Sequence, residues 1–243
     1  MEKDREVKLT QMKEYIQGQG SSVEKYGDPT LERFLVARSM DPKKAAKMFV
    51  TWQKWRASFV PLGIIPDSEV LDELKPKKIL LQGLSKTGRP VTILLARKHY
   101  PSKDQHQFKK YIVHALDKVI ASGIRGKEIG NEKMIVIIDL QQINYKNVDA
   151  HGLISGFQFL QAYYPERLER LYILNMPRFF VKVWKMISYF IEKPTLDKIV
   201  IVTNDEQRQR FIVEVGKEVL PEDIGGEAKL VALQEVEAPP LEC

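Results

Sequence analysis

The sequence predicts an α/β protein in which a small N-terminal helical bundle precedes a domain with a mostly parallel sheet. Three observations predict this class. Apolar residues recur at helical spacing in the first 75 residues, short strand-like runs alternate with helical stretches from residue 79 to 215, and the uninterrupted apolar run 134–138 is typical of a strand buried on both faces. We therefore predict two domains, 1–75 and 76–243, with the tail after about residue 227 loosely attached.

Two helices of the N-terminal part begin at an Asp-Pro pair. Asp28 and Asp41 are each predicted to be an N-cap, and the proline that follows each of them suits the first position of a helix. Behind Asp41, aromatic and aliphatic side chains recur at helical spacing as far as Phe59. We predict that these aromatic residues form a core rather than a ligand cage, and that a further short helix covers 67–74.

The second part alternates strands with helices. The predicted strands are 79–81, 91–96, 134–138, 171–174 and 199–202, and the predicted helices are 105–122, 148–164, 177–191 and 206–215. Asn204 is predicted to cap the last helix, because Gln207 follows it three residues on. Alternation of this kind favours parallel strands joined by crossover helices.

The net charge of +6 is unevenly distributed along the chain. Residues 76–198 carry 21 basic and 10 acidic side chains, a net charge of +11, whereas residues 199–243 carry a net charge of −6. The basic stretch suits an anionic partner, either nucleic acid or an anionic membrane, or it is a solvated surface with scattered lysines. Nucleic acid is disfavoured because no motif interleaves aromatic and basic residues for its recognition.

We expect a protein of the cytoplasm without a bound metal or other cofactor. The N-terminus is charged, with no apolar segment behind it, and no run of about 18 apolar residues occurs. The lone cysteine, Cys243, has no partner for an intrachain disulfide and excludes a cysteine-based zinc site. The four histidines lack the spacing of a metal site.

No motif indicates catalysis. The glycine-rich dinucleotide fingerprint, the phosphate-binding loop, the nucleophile elbow and the H-E-x-x-H motif are all absent from the sequence. Asp139 ends the buried strand, where α/β enzymes place catalytic groups, although a turn-capping role suits it at least as well. We therefore predict that the protein is not an enzyme, and an enzyme that uses Asp139 with a histidine is the least supported alternative.

The segment 179–191 is too apolar for an ordinary surface helix. Of its 13 residues, 10 are large and apolar, and Lys182, Lys185 and Ser188 form one narrow polar stripe on a helix. Such a helix needs cover on nearly all sides. At about 1.5 Å per residue it is about 20 Å long, too short to cross a hydrocarbon layer of roughly 30 Å. It lies in a membrane interface, lines an apolar cavity, or is buried as core.

Several blocks of sequence follow one another in a characteristic order. They are DPTLERFLVAR at 28–38, GRPV at 88–91, IDL at 138–140, YYPERL at 163–168 running into LYILNMP at 171–177, TLDKI at 195–199, and LP to GG at 220–226. Together they resemble the CRAL-TRIO lipid-binding family, and above all its phosphatidylinositol-transfer branch in a short plant-like form. The resemblance covers roughly residues 25–230.

The resemblance implies a non-enzymatic protein that binds one phospholipid in a gated pocket, with the sheet as the floor of that pocket, and transfers it between membranes. The phospholipid that the resemblance favours is phosphatidylinositol. The resemblance also implies that the apolar helix is the gate. The headgroup residues implied by the matching motifs are Arg38, Glu166, Arg167, Thr195 and Lys198. The implied pocket and gate residues are Met134, Val136, Phe179, Phe180, Val183, Trp184, Ile187 and Phe190.

Four positions depart from the family pattern for phosphatidylcholine. Met134 and Val136 stand where small hydroxyl residues occur, and Leu81 and Thr92 stand where tyrosines cage choline through cation–π contacts. These departures argue against phosphatidylcholine, and they leave open a carrier or sensor of another hydrophobic molecule. The expected partners are the hydrophobic ligand and, transiently, an anionic membrane surface, with no nucleic acid and with a monomeric protein.

Overall fold

The structure is a computed structural model that describes residues 2–124, 132–239 and 241. Its α-helices are Glu2–Gly18 (α1), Asp28–Ala37 (α2), Pro42–Phe59 (α3), Leu71–Leu74 (α4), Gln105–Ser122 (α5), Ala150–Tyr163 (α6), Phe180–Ser188 (α7), Lys193–Leu196 (α8) and Asp205–Val215 (α9). Its strands are Ile79–Leu84 (β1), Pro90–Leu95 (β2), Met134–Asp139 (β3), Leu168–Leu174 (β4) and Ile199–Ile201 (β5). Cys243 lies outside the described residues.

The helices α1, α2 and α3 form the N-terminal bundle. Phe34, Phe49 and Trp52 are buried at its centre and pack ring against ring, which confirms that these aromatic residues form a core. Asp41 caps α3 as predicted, since its carboxylate accepts a hydrogen bond from Lys44 N at 3.0 Å. Asp28 is instead the first residue of α2, with Gly27 at the N-cap position, and its carboxylate pairs with Lys13 of α1.

The five strands lie side by side in chain order. β1 is antiparallel to β2, and β2 to β5 are parallel, which confirms the predicted mostly parallel sheet. Each parallel connection adds its strand on the same side of the previous one. Because such crossovers are right-handed, the intervening helices α5, α6 and α7 all lie on one face of the sheet.

The opposite face of the sheet is covered by α9 and the turns that follow it. Tyr172 of β4 packs edge-on against Phe211 of α9, with ring centres 4.8 Å apart. Asn204 caps α9 by accepting a hydrogen bond from Gln207 N, as predicted. This side of the sheet forms a closed core, so the space available for a ligand is on the side of α5 and α6.

The C-terminal tail is attached along β1, which corrects the prediction that it is loosely attached after residue 227. Leu81 N donates a hydrogen bond to Val231 O at 3.0 Å, Ala232 bridges to Leu80, and Leu233 is fully buried. The physical reason is that β1 is an edge strand, whose unpaired backbone groups need partners. The tail supplies some of them.

Candidate functional site

An apolar cavity of about 190 Å³ lies between the sheet and the helices α5 and α6. Met134 and Val136 of β3 line it, as the sequence led us to expect. They share a face because side chains alternate along a strand. The other lining residues are also mostly apolar: Ile79, Thr92, Leu94, Phe108, Tyr111, Ile112, Ala115, Leu116, Val119, Ile138, Leu153, Phe157, Leu160 and Leu171.

One glycine of α6, Gly156, gives the cavity part of its room. Gly152, Gly156 and Leu160 lie four residues apart and face the cavity together, because i and i+4 positions share a helix face. A Cβ atom added at Gly156 would meet no atom within 4 Å. The glycine therefore leaves space where any other side chain would enter the cavity.

The helix α7 lies behind the cavity wall rather than in it. Trp184 contacts Phe157, with ring centres 6.4 Å apart, and Phe157 lines the cavity. On α7 itself, the side chains of Phe180 and Ile187 are buried, whereas those of Val183 and Trp184, and of Phe179 just before the helix, are half-buried. The residues expected to form the gate therefore do not contact the cavity directly.

The outer side of α7 and the residues after it form an exposed apolar surface, which differs from the expectation of cover on nearly all sides. Tyr189 is 88% exposed and Phe190 is 49% exposed, and Met186 is exposed beside them. Lys182 and Lys185 are exposed on the same helix. Within the described residues no helix is long and apolar enough to cross a membrane.

A second, polar cavity of about 100 Å³ lies at the other end of α6. Arg38, Glu166, Thr195 and Lys198 all line it, although they come from three separate parts of the chain. Lys198 Nζ donates to Glu166 Oε2 at 3.0 Å, and a second lysine lies 3.8 Å from the same oxygen. Leu160 lines both this polar cavity and the apolar one, so the two cavities are neighbours.

Glu166 has an unusual backbone conformation. Its φ of 55° lies in the left-handed region, which non-glycine residues adopt rarely and at a cost of roughly 1–3 kcal/mol. It forms part of the turn between α6 and β4, in which Arg167 N donates to Tyr164 O at 3.2 Å. This conformation lets consecutive side chains diverge, so that Glu166 faces the polar cavity while Arg167 does not.

Arg167 lies outside the polar cavity, unlike the other four residues expected around a headgroup. Its side chain is 3% exposed, donates to Glu132 O at 2.9 Å and forms a salt bridge with the Glu132 carboxylate. It immediately precedes β4, where successive side chains point to opposite sides. Its role is therefore to join β4 to the segment before β3.

Thr92 and Leu81, the two positions where the family pattern has choline-binding tyrosines, differ in their access to the cavity. Thr92 lines it, but its hydroxyl donates to Leu80 O at 2.9 Å and is already used within the sheet. Leu81 is buried in the same core without lining the cavity. Neither residue offers an aromatic face to a quaternary ammonium group.

Asp139 caps the turn that follows β3. Its carboxylate accepts hydrogen bonds from Gln141 N at 3.0 Å and from Asn175 Nδ2 at 2.7 Å, and lies 3.2 Å from Arg97 Nη1. Two histidines pair with other aspartates: His99 pairs with Asp149, and His114 pairs with Asp67. In the described part of the chain, no three His, Cys, Asp or Glu side chains are grouped so as to hold a metal ion.

Sequence reasoning missed two polar residues that line the apolar cavity, Lys78 and His99. Lys78 falls in the run KPKK at 75–78, whose charge and proline indicate an exposed turn, yet it is only 3% exposed. Burial lowers its pKa, although the neighbouring Glu73 carboxylate opposes that effect. The available signal was that Lys78 directly precedes the apolar strand β1.

An apolar cavity lies beside a polar one, under helices on one face of a mostly parallel sheet, and this arrangement suits a ligand that has both a hydrophobic and a polar part. The family model for the CRAL/TRIO domain matches residues 74–226, so the chain belongs to the CRAL/TRIO domain family, a family of lipid-binding and lipid-transfer proteins. This confirms the resemblance found in the sequence. The division of the chain into two domains at residue 75 stays a prediction.

Individual proteins of known sequence or structure agree with this assignment. The chain is 28% identical to a CRAL-TRIO domain-containing protein of Saccharomyces cerevisiae, over 85% of this chain and 73% of that protein. It is 28% identical to phosphatidylinositol/phosphatidylcholine transfer protein SFH13 of Arabidopsis thaliana, over 81% of this chain. The chain spans about a third to a half of the length of that and several other curated relatives.

The crystal structure of Sfh5 shares the fold. It superimposes with a TM-score of 0.67 over 90% of this chain and 84% of its own, at 18% sequence identity. At that identity the likeness bears on the fold alone.

Proposed function

We propose that the protein binds one phospholipid, with phosphatidylinositol as the preferred ligand, and transfers it between membranes without covalent chemistry. The observation that carries this proposal is that Leu160 borders both cavities. Acyl chains in the apolar cavity would then continue into a headgroup in the polar one. Apolar burial supplies affinity at about 0.8 kcal/mol per CH₂ group.

The chemistry of the polar cavity suits an inositol phosphate. The guanidinium of Arg38 and the ammonium of Lys198 donate charge-assisted hydrogen bonds to phosphate, and the carboxylate of Glu166 accepts from sugar hydroxyls. Arg38 is half-exposed and forms no ion pair among the described residues. Thr195 adds a hydroxyl that both donates and accepts.

The apolar cavity must enlarge to admit a phospholipid. Its volume of about 190 Å³ is below the roughly 300–1,000 Å³ of sites for drug-sized ligands. We propose that α7 moves outward to provide the room, since it rests on the cavity wall through Trp184 and Phe157. Its exposed apolar surface and two lysines would then meet an anionic membrane.

The small volume also favours a second candidate function. A hydrophobic molecule smaller than a phospholipid would occupy the apolar cavity with less displacement of α7, and the protein would be its carrier or sensor. Met134 and Val136 supply no hydroxyl to a phosphate, which is consistent with either ligand.

Filling the apolar cavity tests the proposal directly. We expect Gly156→Leu to abolish lipid binding, because the new side chain enters space that holds no other atom. We also expect it to keep or slightly raise the free energy of unfolding, since glycine costs roughly 1 kcal/mol inside a helix. Copurified lipid measured by native mass spectrometry, together with Tm, checks both parts.

The matched variant is Gly156→Ala, which gains similar helix stability but fills less of the cavity. It should retain more bound lipid than Gly156→Leu. If the leucine variant is folded and carries the same lipid as the wild type, the cavity is not the lipid site. Transfer assays with phosphatidylinositol and with phosphatidylcholine then establish the preference between headgroups.

Removing the headgroup contacts should strongly reduce transfer of phosphatidylinositol. In the Glu166→Ala/Lys198→Ala variant we expect a loss of about 100-fold, because two charge-assisted interactions of about 1.5 kcal/mol each are lost. The pair is partly exposed, so the fold should persist. The control removes another lysine–carboxylate pair, Lys193 with Asp197, which is exposed and lies outside both cavities. If Glu166→Ala/Lys198→Ala transfers phosphatidylinositol at the wild-type rate, Glu166 and Lys198 do not bind the headgroup.

Binding to anionic vesicles should weaken as salt rises. The +11 net charge of residues 76–198 attracts an anionic surface within a Debye length of about 10 Å at 0.1 M salt and about 3 Å at 1 M. Sedimentation with vesicles that contain phosphatidylserine, compared with neutral vesicles over that range, measures the effect. Equal binding at both salt concentrations would show that electrostatic attraction has no part in docking.

A further inference from the structure

A buried cluster of charged residues closes the end of the apolar cavity that is remote from the polar one. Lys78 and Glu73 form a salt bridge with side chains 3% and 8% exposed. Lys78 Nζ also lies 3.1 Å from His99 Nδ1, and His99 Nε2 lies 2.9 Å from Asp149 Oδ2. Lys78 and His99 line the cavity itself. Four ionisable groups thus meet where an acyl chain would be expected to end.

Two hydrogen-bond donors of this cluster remain available to a molecule in the cavity. If His99 donates from Nε2 to Asp149, its Nδ1 accepts from Lys78, so Glu73 and His99 together use two of the three ammonium N–H groups. Tyr111, whose ring centre is 4.9 Å from Lys78 Nζ, also lines the cavity and is 3% exposed. Its hydroxyl donates to no described residue, and burial raises its pKa, so it stays protonated as a donor.

The cluster and the polar cavity lie at opposite ends of α6. Asp149 caps the N-terminus of α6 through Gly152 N at 2.7 Å, and Leu160 borders the polar cavity eleven residues further on. At about 1.5 Å per residue, that separation is about 16 Å along the helix. The wall between them is apolar. The combined site therefore has polar groups at both ends and hydrocarbon-like walls in the middle.

The charges of the cluster limit what its donors can bind. Burial disfavours the charge of Lys78, and Glu73 and Asp149 already supply two carboxylates around it. A further anion would meet that negative charge in a poorly solvated place. A neutral acceptor oxygen avoids this cost and satisfies the ammonium and the phenol, which a plain hydrocarbon would leave unpaired.

We infer that the end of the cavity bounded by Lys78, His99 and Tyr111 binds a neutral oxygen, a carbonyl or hydroxyl, carried on the hydrophobic part of the ligand. The inference rests on the proposed function, because it takes the cavity to be the lipid site. The oxygen has two possible sources, an oxygenated acyl chain of a phospholipid or a free hydrophobic ketone or alcohol. In both cases the ligand is polar at the end far from the headgroup cavity.

The test compares ligands that differ only by such an oxygen. One arm measures displacement of a fluorescent fatty-acid probe by methyl stearate and by methyl keto-stearate, whose ketone lies in the distal half of the chain. The other arm compares transfer of phosphatidylinositol with a stearoyl or a keto-stearoyl chain. We expect the keto form to bind about tenfold more tightly in at least one arm, a difference of about 1.4 kcal/mol. The arm with the larger ratio identifies the source of the oxygen.

Two variants assign the preference to the cluster. Tyr111→Phe removes one hydroxyl that has no partner among the described residues, so we expect an unchanged Tm and a keto-to-plain ratio about threefold lower. Glu73→Gln/Lys78→Met removes both charges together, leaves no unpaired carboxylate and should reduce the ratio further.

Equal binding of keto and plain ligands by the wild type would overturn this inference and leave the proposed function intact. Failure of both ligands to bind in either arm would overturn both. If the wild type prefers the keto ligand and Tyr111→Phe leaves that preference unchanged, another part of the cavity binds the oxygen. That result would overturn the assignment to this cluster.

Discussion

Replacing Phe180 with aspartate is expected to unfold the protein, whereas aspartate at the exposed positions Tyr189 and Phe190 is expected to leave a folded protein that no longer transfers lipid. Phe180 is 3% exposed in the core under α7. Its loss removes about 3–5 kcal/mol of packing and adds the cost of a buried carboxylate. We therefore expect no cooperative thermal transition for Phe180→Asp in circular dichroism.

The outer variant isolates the membrane contact. Tyr189 is 88% exposed and Phe190 is 49% exposed, so their replacement removes little packing. Burying two aromatic side chains in a membrane contributes about 3 kcal/mol, so Tyr189→Asp/Phe190→Asp should lower vesicle transfer about 100-fold at unchanged Tm. Val213→Asp, an exposed apolar position of α9 on the opposite face of the sheet, is the control. Wild-type transfer by the double variant would contradict a docking role for this surface.

The second large effect is expected at a buried ion pair that joins the N-terminal bundle to the sheet domain. Arg56 of α3 contacts Asp117 of α5 in two places, Nη1 to Oδ1 at 2.9 Å and Nη2 to Oδ2 at 2.6 Å, with both side chains nearly buried. Tyr164, which follows α6, donates its hydroxyl to the same carboxylate at 2.7 Å. Asp117→Ala leaves the guanidinium buried without this carboxylate and should lower the free energy of unfolding by about 3–5 kcal/mol.

Thermal unfolding measures that loss. For a chain of this size, about 2–4 °C of Tm is lost per kcal/mol, so Asp117→Ala should lower Tm by roughly 6–20 °C. The control is Asp72→Ala, which breaks a pair with Lys75 whose side chains are both more than 70% exposed and which should change Tm little. Equal Tm values for the two variants would show that the buried pair does not hold the bundle to the sheet domain.

Elements with a strong local pattern were predictable from the sequence. The helix α5 was predicted with the bounds that it has, because its apolar residues fall on one side at helical spacing. The strand β3 was predicted because five consecutive apolar residues leave little alternative to burial on both faces. A local sequence pattern does not predict which distant segment of the chain will pair with a given strand. The attachment of the tail to β1 depends on pairing between residues about 150 positions apart.

The polar cavity was predictable as a set of residues, but the direction of each side chain was not. Arg38, Glu166, Thr195 and Lys198 were identified through the resemblance, and the fold brings them to one cavity. Arg167 was included through the same resemblance, as the neighbour of Glu166, yet the turn before β4 directs it to Glu132. Neighbours in sequence can serve different parts of a fold whenever a turn separates their side chains.

The apolar cavity was harder to predict because its special residues resemble ordinary ones. Gly156 would be read in the sequence as a weak point of a helix, and Lys78 as part of a charged turn. What distinguishes them is their surroundings in the fold, which are open space around Gly156, and Glu73, His99 and Tyr111 around Lys78. Side-chain environment of this kind is set by tertiary packing.

The attachment of the tail to β1 also fixes where the folding unit ends. The family match stops at residue 226, but the edge of the sheet is completed by residues beyond it. Gln234 Nε2 donates to Leu74 O at 2.9 Å, and Glu235 pairs with Lys77 at 2.6 Å, next to Lys78, which lines the apolar cavity. A chain shortened to the family boundary would expose a strand edge to other copies of itself and loosen the far wall of the cavity at the same time.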